Sequence, residues 1–235
     1  MPDLSFCPVL QEMAATGRAI GKSGTIIDAG SMSTPNNILT LRSLHLVKRA
    51  EHTMEIGLRM GGSCLAFAQT HKDLGFPPRR QHVAIDPYQN NSFNDGSGLR
   101  AIERAGLSGY VEFLEMQSCS ALPQLLRDGR SFEIIYLDGS HNFEDVLLDL
   151  YFATKLLTKG GIVLFDDSAH PHVHKVVRFA GRNLDHCLRP VSLHRFRPAN
   201  SIRYKIADLL GRVQLTAFER IGMLERPAGY TLRTF

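Results

Sequence analysis

The feature that most constrains this chain is an alternation, repeated five times, of short apolar runs with longer amphipathic ones. "HTMEIG" (52–57), "QHVAIDP" (81–87), "YVEFLEM" (110–116), "FEIIYLD" (132–138) and "GIVLFDD" (161–167) have the length and near-continuous apolarity of strands covered on both faces. Between them, "GSCLAFAQTHKDL" (62–74), "SGLRAIERAGL" (97–107), "ALPQLLRDG" (121–129) and "FEDVLLDLYFATKLL" (143–157) read as helices, and "HVHKVVRFAGRNL" (172–184) follows the last strand. Gly160-Gly161 reads as the stop signal of the fourth helix. Strand and helix in strict alternation imply βαβ units and a parallel sheet. With strand candidates at 189–196 and 213–221, the expectation is a doubly wound, mostly parallel seven-stranded α/β sheet flanked by helices, Rossmann-like.

Such sheets bind ligands beyond the carboxyl ends of their strands. Polar residues gather at those ends: Glu55–Gly57, Asp86, Gln117–Ser118, Asp138–His141 and Asp166–Asp167. The flanks are less regular. Residues 1–50 read as a largely helical lid segment with a loop at 30–37, where Thr34 can cap a helix that has Pro35 in its first turn. Residues 51–235 form the main domain, with an inserted helix near 201–212.

Composition narrows the classes. At 235 residues with 43% hydrophobic and 21% charged, the chain can bury a full core without disulfides or a structural metal. Its four cysteines (Cys7, Cys64, Cys119, Cys187) show no CxxC spacing and fit free thiols in a reduced, cytoplasmic setting. No apolar run reaches the ~18 residues of a membrane span, and the N-terminus lacks the pattern of a signal peptide. The net charge of +4 is spread without a block of like charges, which disfavours a dedicated nucleic-acid binder. A homo-oligomer is allowed but not indicated.

"EIGLRMGGS" (55–63) joins the first of these strands to its helix. Gly57 supplies backbone angles closed to other residues, and Gly61 and Gly62 let a ligand approach the main chain. A dinucleotide turn needs G-x-G-x-x-G, and Glu55 stands where its first glycine would be. A carboxylate there repels pyrophosphate but suits a ligand with a cationic group or hydroxyls. Asp86 can accept from a ribose, or it can simply cap the turn before Pro87. Together the two signals fit an adenosine-type ligand with a cationic far end, as S-adenosylmethionine has. A plain βα turn without a ligand is the alternative.

"EIGLRMGGS", "AIDP", "IIYLDGSH" and "LTKGGIVLFDD", in that order over roughly residues 50–185, resemble the successive motifs of class I S-adenosylmethionine-dependent methyltransferases. The likeness is nearest to the metal-dependent small-molecule O-methyltransferases of the catechol and macrolide-sugar types. The resemblance implies that Glu55, Gly57, Gly61 and Ser63 surround the methionine part and that Asp86 holds the ribose. It implies that Ser118 and Cys119 lie by the adenine, and that Asp138 also borders the cofactor.

Asp138, Asp166 and Asp167 end two strands. Three carboxylates together are costly unless a cation offsets them, and carboxylate oxygens suit Mg²⁺. The alternative is that they cap the next helices. In the resembling enzymes, acids at such positions hold Mg²⁺, which chelates substrate hydroxyls. His141, three residues past Asp138, can take a proton from a hydroxyl or can cap the helix starting near Phe143. In the sugar-type enzymes a histidine here looks like the general base. "HPHVH" (170–174) suggests zinc by its His170/His174 spacing, but Pro171 argues against a helix carrying both.

These readings converge on metal-assisted methyl transfer from S-adenosylmethionine to a hydroxyl of a small sugar, polyol or catechol, with Asp138 and His141 catalytic. A methyltransferase acting on RNA or protein is the alternative that Arg189, Arg195, Arg197 and Arg203 motivate. A non-catalytic ligand-binding member of the fold is another, and the acids and His141 argue against it. An NAD dehydrogenase would leave the acids without a role.

Overall fold

The computed structural model describes residues 3–30, 32–198, 213–226 and 229–235. The helix expected near 201–212 lies outside them. The chain divides into two compact units, Met1–Gln117 with Phe196–Pro198, and Ser118–Arg195 with Ala199–Phe235. The seven main strands belong to one mostly parallel sheet, and each unit is described on its own.

The first unit opens with α1 (Pro8–Thr16), a short antiparallel hairpin of β1 (Arg18–Ile20) and β2 (Ile26–Asp28), and α2 (Pro35–Lys48). The hairpin is a departure from the helical reading of residues 1–50. Its strands have only three residues each, too few for a period-2 pattern to stand out. Thr34 caps α2 as expected: its Oγ1 accepts the Asn37 N–H at 3.2 Å, and Pro35 occupies the first turn. Then come β3 (Thr53–Ile56), α3 (Gly62–Asp73), β4 (His82–Ile85), α4 (Ser97–Arg104) and β5 (Val111–Leu114), with spatial strand order β5-β4-β3, all parallel. Every residue of β3 and β4 is buried, as two-sided cover requires. Leu10, Met13, Ile38, Leu65, Ala84 and Ile102 join α1, α2, α3, β4 and α4 in one core.

The second unit runs α5 (Ser118–Arg127), β6 (Phe132–Leu137), α6 (Phe143–Leu156), β7 (Leu157–Phe165), α7 (Pro171–Asn183), β8 (Leu188–Val191) and β9 (Thr216–Arg220). Its strand order is β6-β7-β9-β8, with β6 and β7 parallel and β9 antiparallel to both its neighbours. Helix α6 passes into β7 without a loop, so Gly160-Gly161 does not end the helix. Phe132 pairs with Leu157 but Ile134 with Ile162, and the extra residues form a bulge in which Gly160 takes φ 81°. Among the described residues no helix is long and apolar enough to cross a membrane.

Candidate functional site

In the first unit, β3 and β4 pair in register to Ile56↔Ile85, which sets Gly57 and Asp86 side by side at the carboxyl edge. Gly57 has φ 96° and Gly61 φ 82°, a region that L side chains rarely occupy. Gly61 caps α3 without a side-chain bond, and buried Ser63 is the second residue of that helix. The leading N–H groups of α3 therefore lack intrahelical partners and carry the positive end of its dipole. Asp86 fastens the turn. Its Oδ2 accepts from the N–H groups of Arg59 (2.8 Å) and Leu58 (3.2 Å) and from Gln89 Nε2 (3.2 Å), and its Oδ1 from the Tyr88 N–H (2.7 Å). A carboxylate offers about four lone-pair sites, so Asp86 spends its capacity on the turn in this state.

The close approaches differ from those expected of a ligand turn. A Cβ on Gly61 would lie 3.2 Å from the Gly98 carbonyl oxygen, and one on Gly98 2.4 Å from the Arg59 oxygen. A Cβ on Gly62 would meet the Met32 side chain. These glycines admit the first turn of α4 and a side chain of the N-terminal segment. Glu55 also departs from its expected setting. It is wholly buried, with Oε1 3.5 Å from His82 Nε2 and Cys64 beside it. Its side chain shares a face with α3 because residues of β3 alternate between the sheet's two sides.

In the second unit, Leu137 pairs with Phe165, so Asp138 and Asp166 follow adjacent parallel strands at one edge. They line a small cleft with His141, Val146, Asp149 and Val173. Asp166, 6% exposed, accepts from the Tyr136 hydroxyl at 2.5 Å and from the Asp167 N–H at 3.0 Å. Asp167 adopts φ 47°, an uncommon backbone state for a non-glycine residue that is found at functional sites. That turn delivers its Oδ2 to His141 Nε2 at 2.8 Å, while Oδ1 accepts from Gln214 Nε2. Both carboxylate oxygens of Asp167 thus serve other side chains, and Asp167 is not among the residues lining the cleft. The His170 ring lies 4.8 Å from that of His141. Pro171 opens α7 with His170 as its N-cap, so His170 and His174 do not share that helix.

Ser118 and Cys119 begin α5, with Cys119 exposed. Ser118 hydrogen-bonds Asp149, an acid on the buried face of α6 that the sequence reading passed over. Burial pushes the Asp149 carboxyl up to about 7, against the Ser118 bond and with help from the Asp145 charge. An acid in register with Val146, Leu150 and Ala153 was a visible signal. Tyr136 and Gln214 gave none: a tyrosine in a buried strand and a glutamine near a strand end are ordinary. Of the tail arginines, Arg189 pairs with Glu219 at 2.7 Å, and Arg203 lies outside the described residues.

A family model described as a methyltransferase domain matches residues 54–168. A caffeoyl-CoA O-methyltransferase of Petunia hybrida is 32% identical over 126 residues, covering 51% of this chain and 46% of that protein. One from Eucalyptus globulus is 30% identical over 148 residues, covering 57% and 54%. The chain therefore spans about half the length of the curated relatives it matches. Among solved structures, an O-methyltransferase from Bacillus cereus in complex with SAH superposes with TM-score 0.65 at 16% identity, covering 94% of this chain and 93% of that one. The O-methyltransferase TomG of Streptomyces achromogenes, in complex with SAM, gives 0.62 at 19% identity, covering 92% and 90%. At such identities these two establish the fold.

Proposed function

We propose, from the premise that residues 54–168 are a methyltransferase domain, that this protein transfers a methyl group from S-adenosylmethionine to a hydroxyl oxygen of a small molecule. The observation that carries the oxygen-directed reading is the 2.8 Å pair of His141 and Asp167 beside two further carboxylates. A carboxylate only accepts, so Nε2 of His141 bears the hydrogen and Nδ1 presents the lone pair. Nδ1 is thus the atom that receives the proton of the acceptor hydroxyl. Asp167 fixes the ring and stabilises the imidazolium that forms.

S-adenosylmethionine supplies, when bound, an electrophilic sulfonium methyl carbon for in-line attack by an oxygen nucleophile, with the thioether sulfur as leaving group. The α3 amides and the turn Gly57–Ser63 receive its methionine part. Asp86 takes the ribose hydroxyls in place of its Gln89 bond, and Ser118 and Cys119 border the adenine. Glu55, enclosed by His82 and Cys64, is left out of the direct contacts. The oxygen donors Asp138 and Asp166 fit a hard divalent cation such as Mg²⁺. Asp166 and Asp167 each give both oxygens to hydrogen bonds, but Asp166 lines the cleft with Asp138 and Asp167 does not, so Asp167 fits an orienting role better than a ligand role. A cation at Asp138 and Asp166 would acidify a coordinated hydroxyl.

The relatives' names point to aromatic hydroxyls, so catechols and vicinal diols are the acceptors to test. S-adenosylhomocysteine formation should require one of these acceptors and fall on chelation by EDTA. Product formation that is indifferent to the acceptor hydroxyl, or transfer to nitrogen, would contradict the reading.

A further inference from the structure

Beneath the glycine turn, three side chains meet that the proposed reaction does not use. Glu55 from β3, Cys64 from α3 and His82 from β4 are all fully buried, and one donor atom from each lies within 4.8 Å of the others. Nε2 of His82 has no hydrogen-bond partner, and the partner that Glu55 meets in the cluster is the weak donor of the Cys64 thiol. Buried polar atoms are rarely left without a good partner, and a poorly paired interior carboxylate is among the costlier groups a fold can enclose.

A proton alone does not resolve the arrangement well. Nε2 of His82 is 3.5 Å from Glu55 Oε1, well beyond the ~2.7–2.9 Å of a charge-assisted hydrogen bond. Nδ1 of His82 is already bonded to Thr53 Oγ1 at 2.8 Å. A second partner of that kind is what fixes the orientation of a metal-ligating imidazole. Phe67 stacks on the opposite side at 4.9 Å, making an apolar wall.

We propose that Glu55, Cys64 and His82 bind a borderline divalent cation, Zn²⁺ being the best match, as a structural clamp. Sulfur, imidazole nitrogen and carboxylate oxygen together suit Zn²⁺ and not Mg²⁺. With Glu55 bidentate, three side chains supply four donors, so no water is needed in a closed site. Zinc bonds of about 2.0–2.3 Å draw these donors closer than they now stand. The ion ties β3, β4 and α3 together directly under Gly57 and Gly61. The donors are enclosed, so the ion enters as the chain folds. This site goes beyond the proposed transfer and does not depend on it.

The test is to express the full chain in cobalt-supplemented medium, remove loosely held ions with EDTA, and record the absorption spectrum with elemental analysis. The wild-type protein should retain stoichiometric Co²⁺ and show a thiolate-to-cobalt charge-transfer band. That band should fall at least tenfold in Cys64→Ser and persist in Cys119→Ser, which removes the exposed thiol. It should also persist in Asp166→Asn, which separates this site from the acidic cleft. Folded wild-type protein with no retained first-row metal, or Co²⁺ bound without the thiolate band, overturns the proposal: the cluster then holds only protons. The wild-type readout decides even if Cys64→Ser fails to fold. S-adenosylmethionine binding, measured in parallel, fails or succeeds separately.

Discussion

In the proposed reaction the His141 imidazole and the Asp167 carboxylate, 2.8 Å apart, divide one task. Asp167 needs its positive φ to reach His141, and β7 ends where it must for that turn to form. His141→Gln should lower kcat by about 10²–10⁴-fold, the usual worth of a general base, with little change in S-adenosylmethionine affinity. Asp167→Asn should lose a smaller factor, because a base remains but its tautomer is no longer enforced. Initial rates with a saturating catechol or diol acceptor check both, and equal rates in wild type and His141→Gln would remove the base assignment. Asp149 gives a stability prediction. Burial raises its folded pKa from 3.8 to about 7, so the folded state holds this proton more tightly than the unfolded chain does. The linked stability is complete below pH 4 and is lost as pH rises toward 7, by a few kcal/mol in all. Asp149→Asn should be spared that loss. Urea unfolding in EDTA at pH 5 and pH 8 should show the variant gaining on wild type at the higher pH. An unchanged difference between the two proteins would contradict it.

At the scale of elements, the βα turns were legible because each strand ends sharply in a polar residue. The polar termini Asp86, Asp138 and Asp166 lie where that reading puts them, each directly after its strand. Side-chain direction was not legible. Nothing in "EIGLRMGGS" says that Glu55 faces Cys64 and His82, because that depends on a packed helix and a paired strand. Likewise the glycines were read as room for a ligand, whereas Gly61 also makes room for the Gly98 backbone and Gly98 for the Arg59 carbonyl. That contact is testable. Gly98→Ala would set a methyl 2.4 Å from the Arg59 carbonyl oxygen and must push α4 off the turn. It should destabilise the protein by about 1–3 kcal/mol, the range for overpacking, and weaken S-adenosylmethionine binding with it. Thermal unfolding and a binding titration of the variant measure both, and a neutral Gly98→Ala would show that the turn tolerates a shifted α4.

Over the whole molecule, the alternation of apolar and amphipathic runs sufficed for the sheet because buried parallel strands are continuous in hydrophobicity and flanked by turn residues. The β1–β2 hairpin left no comparable trace because its strands have three residues each, and the division of the chain after Gln117 left none because it arises from contacts between distant segments. The first unit also contains two buried neutral histidines. Burial, chiefly, lowers His45 to about 4 and His71 to about 2 from an ordinary 6.5. Their contribution to stability is complete above pH 6.5 and is lost as pH falls, at about 1.4 kcal/mol per pH unit for each while only the unfolded chain takes up the proton. Asp149 acts in the opposite direction over this range, so the test is made in Asp149→Asn, whose denaturant midpoint should fall from pH 7 to pH 5; a flat profile in that variant would contradict neutral burial.

The central claim is that this fold carries S-adenosylmethionine on the turn after β3. The most direct measurement is equilibrium dialysis of the purified full chain against labelled S-adenosylmethionine in buffer containing Mg²⁺. Saturable one-to-one binding at micromolar concentration, weakened at least tenfold by Gly61→Val, is the predicted result. A folded protein that binds none would contradict the account and return the glycine turn and Asp86 to plain architecture.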